Sequence, residues 1–264
     1  MEPDGLPVRD SGEWVKRKHH FLARYCRLFT VGMKYKWDGN LNYIDLMAGP
    51  GRCRIEETGE IVRGSPFVAL EENFAHYDFF EEDPELAHAL KARVAAHKKG
   101  NRCIVHAESW DHVVLRNAFP RHHGLTLAFV DPTGIRSVPW AALEQLTRNY
   151  KNLDILMTIQ HAMAIKLNRP QYLAREDRTA ADMFLGSATW REKVTGPGNY
   201  LKVFLDTFVQ NFSDHGFRTR NWMLVKNNRS PLYYVCLFAR HERALDFWDK
   251  AVAEDEAGQR NLGL

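Results

Sequence analysis

The stretch that decides the fold is Tyr43-Ile44-Asp45-Leu46-Met47-Ala48-Gly49-Pro50-Gly51. In it, a short apolar run containing one acid ends in a loop of small residues. This pattern predicts a buried parallel strand followed by a tight turn beside a nucleotide-like ligand. Because glycine has no Cβ, Gly49 and Gly51 permit a sharp turn and a close approach of the ligand. We expect Asp45, Ala48, Gly49 and Gly51 to bind that ligand, with the Asp45 carboxylate receiving an ammonium group.

Strand-like and helix-like patterns alternate along the chain as far as residue 160. Alternation of this kind predicts a doubly wound, mostly parallel sheet of the Rossmann-like α/β class. The strands that we expect span residues 42–48, 78–82, 102–106, 125–131 and 154–160. The helices that we expect between them span residues 66–74, 84–97, 110–118 and 140–150.

After residue 160 the alternation stops. Residues 161–198 have the pattern of a helical insertion, and a helix over 200–213 follows. Two strands, 217–226 and 232–239, are joined by a link short enough for an antiparallel hairpin. We therefore divide the chain into four parts: a basic helical segment (1–40), a ligand-binding core (41–160), a helical insertion or substrate lobe (161–215), and the terminal hairpin with a C-terminal helix (216–264).

The glycine loop departs from the dinucleotide-binding fingerprint. Arg54 stands where that fingerprint has its third glycine, and the polar stretch 52–63 separates the loop from the next helix. That helix is expected to begin with Ser65 as N-cap and Pro66 in its first turn. Residues before Gly12 are polar and are expected to be poorly ordered. The missing third glycine argues against an NAD-dependent enzyme.

Acids follow two further strands. In a nucleotide-binding sheet, an acid at the end of the second strand accepts hydrogen bonds from both ribose hydroxyls, and Glu81 is the candidate. The alternative is that the acids at 81–83 only cap the helix that begins at Pro84. Glu108, after the third strand, is the candidate for an adenine amino group, although Asp111 is also available.

The fourth strand ends in Asp131-Pro132-Thr133-Gly134, at the edge where α/β sheets bind ligands. Asp131 can orient an attacking amine or accept its proton, and the Pro132 carbonyl can accept a second hydrogen bond from that amine. The alternative is a turn in which Asp131 caps local N–H groups. The candidates for substrate binding are Thr133, His161 and, from the basic N-terminal helix, Lys18. The alternative for Lys18 is a solvated helix face, and the alternative for His161 is the start of a capped helix.

Composition limits the remaining possibilities. Apolar residues make up 45% of the 264 positions, charged residues make up 26%, and the net charge is +3, as in ordinary globular domains. The four cysteines form no CxxC pair, which favours reduced thiols over disulfides or a zinc site. We find no signal-peptide pattern and no membrane-spanning run, and we expect a cytoplasmic protein without a metal site.

These motifs occur together in a known family. The sequence resembles the three-Cys-motif partner proteins (TcmP), which implies a methyltransferase-like domain and a partner protein with a three-cysteine motif, an iron–sulfur protein being one candidate. It is more loosely similar to ribosomal RNA adenine-N6 methyltransferases, which usually have Asp-Pro-Pro and an aromatic residue where this chain has Asp131-Pro132-Thr133-Gly134. The segments that carry the TcmP resemblance are 14–25, 43–51, 63–66, 69–70, 79–84, 127–134 and Trp140.

From the motifs and the resemblance we expect a methyltransferase that uses S-adenosylmethionine (SAM) and methylates a nitrogen of a nucleic-acid base or a related nucleoside. A parallel sheet that ends in a hairpin is the layout of these enzymes and is unusual for NAD-binding sheets. The alternative is a non-catalytic module of the same fold that docks the three-cysteine-motif partner. The two hypotheses differ in whether RNA, DNA or nucleosides become methylated.

Overall fold

The structure is a computed structural model, which describes residues 4–160, 168–175, 178–196, 198–227 and 230–254. Within these residues the strands are β1 (Arg9–Ser11), β2 (Leu41–Asp45), β3 (Arg52–Ile55), β4 (Ile61–Arg63), β5 (His76–Phe80), β6 (Cys103–His106), β7 (Leu125–Val130), β8 (Leu153–Gln160), β9 (Met223–Lys226) and β10 (Pro231–Ala239). The α-helices are α1 (Trp14–Met33), α2 (Ser65–Ala69), α3 (Pro84–Ala95), α4 (Trp110–Leu115), α5 (Trp140–Asn149), α6 (Arg169–Ala174), α7 (Ala180–Leu185), α8 (Tyr200–Asp214) and α9 (Glu242–Val252).

Seven strands form the main sheet in the order β6-β5-β2-β7-β8-β10-β9. Neighbouring strands from β6 to β8 are parallel, whereas β10 runs antiparallel to both β8 and β9. The predicted fold class is therefore confirmed, including the terminal hairpin. From β2 the chain adds β5 and β6 towards one edge of the sheet, and from β7 it adds β8 towards the other edge, so the strand order reverses between β2 and β7. The carboxyl ends of β2, β5 and β7 lie at this switch point, where a doubly wound sheet binds ligands.

The central strands are apolar throughout because helices cover both faces of the sheet. All six residues of β7 are buried, and successive side chains point to opposite faces. Leu127 and Phe129 join a core that includes Phe21 and Tyr25 of α1, whereas Ala128 belongs to the core on the opposite face. This burial on both faces explains the continuous apolar runs that predicted a parallel sheet.

The expectation of a poorly ordered N-terminus is wrong for residues 4–11. Strand β1 pairs in parallel with β3, and β3 pairs antiparallel with β4, so these strands form what we call the small sheet. The buried Arg93 guanidinium anchors the segment, since it donates hydrogen bonds to the Asp4 carboxylate and to the carbonyls of Leu6, Pro7 and Pro50. The polar stretch 52–63 is thus the scaffold on which the N-terminal segment lies.

Several predicted boundaries are wrong for local backbone reasons. The strand expected over 217–226 is regular only from Met223, because Asn221 adopts a left-handed conformation with φ of 53°. Helix α4 ends at Leu115, before Asn117, which has φ of 59°. Helix α2 has Gly64 as its N-cap and stops at Ala69. The side chain of Ser65, expected to cap that helix, is instead buried.

The described part of the insertion is helical, as expected. Its α7 begins with a capping box in which Thr179 and Asp182 exchange hydrogen bonds. The same Asp182 carboxylate accepts hydrogen bonds from the Trp190 indole at 2.9 Å and from the Arg191 guanidinium, so one buried acid joins α7 to the following 3-10 helix. The predicted site residue His161 lies outside the described residues, and the four-part division remains a hypothesis.

The structure also bears on the cysteines and on membrane association. All four cysteines are free thiols, in agreement with the prediction. Burial raises the pKa of the Cys26 and Cys236 thiols well above the ordinary value, which makes both poor nucleophiles. Among the described helices, none combines the length and the apolar character needed to cross a membrane.

The buried carboxyl of Asp154 predicts a pH-dependent stability. Burial raises its pKa to about 7, against the opposing hydrogen bond that the Tyr25 hydroxyl donates at 3.0 Å. Since this pKa exceeds that of the unfolded chain, the group's contribution to stability is complete below about pH 4 and is lost as the pH rises through about 7. We expect Asp154→Asn to raise the free energy of unfolding by roughly 3 kcal/mol more at pH 8 than at pH 4.

Urea denaturation of Asp154→Asn and wild type at both pH values measures this difference. The exposed Asp214→Asn is a matched control and should show no comparable pH dependence. A stability gain in Asp154→Asn that is the same at both pH values would contradict the prediction.

Candidate functional site

The turn after β2 requires glycine at two positions. Gly49 and Gly51 have φ of 63° and 84°, values that residues other than glycine rarely adopt. At Gly51 a Cβ would also lie 2.7 Å from the Phe67 ring. The Ala48 amide donates to the Phe80 carbonyl at 2.8 Å, and this bond fastens the turn to the end of β5. The backbone of the predicted glycine loop is therefore held in a fixed shape at the edge of the sheet.

Glu81 lies directly against this loop. Its buried carboxylate accepts hydrogen bonds from the Gly49 amide at 2.8 Å and from the Asp83 amide at 3.0 Å. The capping of α3 falls to Asp83, whose carboxylate accepts from the amides of Glu85 and Leu86. The capping alternative thus applies to Asp83, while Glu81 joins the strand end to the glycine loop.

Asp45 lies beneath the loop and is fully buried. Burial raises its pKa to about 7, and the nearby charge of Asp131 adds to this. Hydrogen bonding by Ser65, the Met47 amide and Tyr43 opposes the shift, and the Tyr43 hydroxyl lies 3.3 Å from the Asp45 carboxylate. Asp45 is therefore a buried acid that has hydrogen-bond donors around it but, among the residues that the structure describes, no paired cation.

Asp131 lies in a different electrostatic environment. Its carboxylate accepts hydrogen bonds from the Lys18 ammonium and, at 2.8 Å, from the Thr158 hydroxyl. Burial favours a higher pKa, but the charge and hydrogen bond of Lys18, with the Thr158 hydrogen bond, outweigh it, so the pKa of Asp131 lies below its ordinary value. The predicted substrate-side residue Lys18 is thus paired with the predicted catalytic residue, and Asp131 is an ionised carboxylate at neutral pH.

The neighbours of Asp131 complete this end of the sheet. The Gln160 side-chain amide donates to the Pro132 carbonyl at 2.9 Å, so the predicted acceptor-binding carbonyl already has one partner. Thr133 is exposed and lies at the mouth of the site. His19, next to Lys18, has a pKa lowered to about 3 by burial and by the Lys18 charge, and is therefore neutral.

Two adjoining clefts lie over these groups. The first cleft, of about 430 Å³, is lined by Glu81, Glu108, Trp110 and Thr133 among others. The second cleft, of about 390 Å³, is lined by Lys18, Ala48, Gly49, Gly51 and Ser65 among others. The two clefts share Arg9, Met47 and Asp131 and therefore adjoin at these residues. The clefts therefore bring together the predicted site residues except Asp45, which lies below their floor, Pro132 and His161.

The two acids that follow β6, Glu108 and Asp111, differ in whether they line a cleft. Glu108 lies at the rim of the first cleft, and the Arg116 guanidinium donates to its carboxylate at 2.5 Å. Asp111 instead accepts from the Ser109 hydroxyl and the His112 amide and does not line the cleft. The geometry therefore favours Glu108 over Asp111 as a ligand-facing acid.

Sequence reasoning missed Arg9, which lines both clefts from β1. The signal was weak, since a three-residue strand of mixed charge has no recognisable period. Four basic residues of α1 have acidic partners, which the sequence pattern did not reveal. The pairs are Lys16 with Glu13 and Glu60, Lys18 with Asp131, Arg24 with Glu254, and Arg27 with Glu72.

Comparison with known proteins supports the fold. No family model and no curated protein matches this chain. The solved structures that it resembles include protein LPL1258 from Legionella pneumophila, at 10% identity with a TM-score of 0.53 over 88% of this chain and 92% of that one. They also include an O-methyltransferase from Bacillus cereus in complex with SAH, at 10% identity with a TM-score of 0.50 over 89% and 85% of the two chains.

The chain has a Rossmann-like α/β fold, which this O-methyltransferase shares. At these identities the likeness extends to the architecture alone, in agreement with the sheet order and the terminal hairpin. Membership of the three-Cys-motif partner family is not confirmed.

The Lys18–Asp131 pair predicts a large effect of one substitution. We expect Lys18→Met to lower the free energy of unfolding by about 3 kcal/mol at pH 7, because it leaves a largely buried carboxylate without its cation. Lys16→Met, two residues earlier on α1, is the matched control: Lys16 pairs with two exposed acids and its loss should have little effect. Urea denaturation of both variants measures the difference. Equal losses in the free energy of unfolding would show that the Lys18–Asp131 pair stabilises the protein no more than an exposed ion pair does.

Proposed function

We propose that this chain is a SAM-dependent methyltransferase that methylates a nitrogen of a nucleic-acid base or a related nucleoside. The observation that carries the proposal is the convergence of a rigid glycine loop, Glu81 and Asp131 on two adjoining clefts at the carboxyl edge of the sheet. The crystallised Bacillus cereus O-methyltransferase, whose fold this chain shares, is in complex with SAH, and this supports the choice of cofactor.

The residues present fit that cofactor. Gly49 has no side chain on the side of the turn where the Arg9 guanidinium lies, 3.8 Å from the position of a Cβ, and Glu81 retains acceptor capacity beyond its two backbone hydrogen bonds. Ala48, Gly49 and Gly51 would contact the methionine portion, and Asp45, buried and outside the lining of the clefts, would act on its ammonium group through its charge. Glu81 would hold the ribose hydroxyls and Glu108 the adenine amino group. When bound, SAM supplies an electrophilic methyl group.

The protein's own contribution is mainly positioning. Asp131 and the Pro132 carbonyl would accept hydrogen bonds from the acceptor amine and hold its nitrogen in line for attack. Because Lys18 keeps the pKa of Asp131 low, this carboxylate is better suited to orienting the amine than to taking its proton. Thr133 and Lys18 would contact the substrate from the sides of the cleft, and His161, outside the described residues, stays a candidate from the sequence alone.

A second candidate function is a non-catalytic module that docks a three-cysteine-motif partner, as the TcmP resemblance implies. The hydrogen bonds at the end of β7 favour this second function. The Asp131 carboxylate already accepts from Lys18 and Thr158, and the Pro132 carbonyl already accepts from Gln160. No aromatic residue follows Pro132, where a base-stacking ring stands in the adenine-N6 enzymes. Stable binding of such a partner by a chain that methylates no nucleic acid would favour this function.

Cofactor binding is the first test. We expect micromolar binding of SAM and of S-adenosylhomocysteine, with affinity at least about tenfold lower in Asp45→Ala and in Glu81→Gln because each loses a charge-assisted interaction. Isothermal titration calorimetry measures the affinities, and the exposed Glu85→Gln, near the start of α3, is the control that should bind normally. A folded wild type that binds neither compound would refute the proposed function.

The role of Asp131 has a separate test. We expect Asp131→Asn to abolish methyl transfer and to leave the affinity for S-adenosylhomocysteine within about threefold of wild type, because this residue positions the acceptor. Radiolabelled methyl incorporation into total RNA, DNA and free nucleosides, followed by hydrolysis and chromatography, identifies both the activity and the methylated base. If Asp131→Asn loses cofactor binding as well, Asp131 is a structural residue instead.

A further inference from the structure

Arg9 lies between the two clefts. It lines both of them, and its Nη1 is 3.8 Å from the position that a Cβ on Gly49 would occupy. The guanidinium is therefore beside the turn that would hold the methionine portion of the cofactor. No motif in the sequence assigned it a role.

The cationic side chains around the clefts differ in whether they have a carboxylate partner. Lys18 is paired with Asp131, and Arg52 is paired with Asp4 at 3.3 Å. Arg9, by contrast, has neither a salt bridge nor a hydrogen bond to any side chain within the described residues. A guanidinium has five N–H donors in a planar fork that matches a carboxylate. Arg9 thus presents unused donors to the space over the glycine loop.

The small sheet holds Arg9 in this position. On β1, Arg9 pairs in register with Cys53 and Asp10 with Arg54, and alternate side chains point to opposite faces. Asp10 therefore points outward, where it forms a salt bridge with Arg54 at 2.7 Å, while Arg9 points towards the clefts. The segment before β1 is fixed by Arg93, which also donates to the Pro50 carbonyl at 2.7 Å, within the glycine loop.

We propose that Arg9 binds the α-carboxylate of the methionine portion of SAM, so that the small sheet is part of the cofactor site. This inference rests on the proposed function. SAM carries an ammonium, a sulfonium and one carboxylate; the acids around the clefts suit the two cations, and Arg9 suits the anion. This role also accounts for the stretch 52–63, because β3 within it pairs with β1 and so positions Arg9 beside the clefts.

The test compares two ligands that differ by one group. SAM and decarboxylated SAM share the sulfonium, the adenosine and the amine, and only SAM has the carboxylate. We expect Arg9→Gln to weaken SAM binding at least about tenfold and to leave the affinity for decarboxylated SAM unchanged, as measured by isothermal titration calorimetry. Arg54→Gln is the matched control. Arg54 lies on β3 opposite Asp10, faces outward, and its variant should bind both ligands as wild type does.

The outcomes separate the inference from the function on which it rests. A wild type that binds neither ligand refutes the proposed function and the inference together. A wild type that binds SAM, with Arg9→Gln unchanged, overturns the role of Arg9 and leaves the function standing. Equal weakening of both ligands in Arg9→Gln would also overturn it, since the effect would then come from the shape of the small sheet. Circular dichroism and thermal unfolding verify that each variant is folded.

Discussion

The hydrogen bond from the Gly49 amide to the buried Glu81 carboxylate is the constraint on which the site depends. It joins the turn after β2 to the end of β5, which is the neighbouring strand in the sheet. A buried carboxylate is costly unless its oxygens are hydrogen-bonded, and the Asp83 amide supplies the second donor. The loop and the strand end therefore adopt one arrangement before any ligand binds. Preorganisation of this kind means that a ligand's binding energy is not spent on ordering the loop.

Two other carboxylates near the same strand ends have opposite electrostatic environments. Asp45 is buried without a cation and has a pKa raised to about 7, whereas Lys18 holds the pKa of Asp131 below its ordinary value. The charge of Asp131 also contributes to the raised pKa of Asp45. A ligand ammonium close to Asp45 would therefore favour the ionised form of that carboxyl. An acceptor that approaches Asp131, in contrast, must share the carboxylate with Lys18.

The main sheet was predictable from the sequence because its signals are local. The run Leu125–Val130 is continuously apolar, and the short link before Pro231 required a hairpin, whichever residues lay elsewhere. The small sheet was not predictable, since Arg9 and Cys53 pair across more than forty residues through strands too short and too charged to have a period. The site divides in the same way. Glu81 and Asp131 follow apolar strands, whereas the Lys18–Asp131 pair joins residues 113 positions apart.

The charge distribution on α1 limits how a nucleic acid could be recognised. Lys16, Arg24 and Arg27 each have an acidic partner, so a phosphate backbone that bound these three side chains would have to displace those acids. Affinity that came from counterion release would then be partly offset by the lost ion pairs. Recognition of a base or nucleoside within the clefts would leave these three ion pairs in place. A nucleic-acid substrate of the proposed kind would therefore be recognised through the base that enters the cleft more than through its backbone along the basic helix.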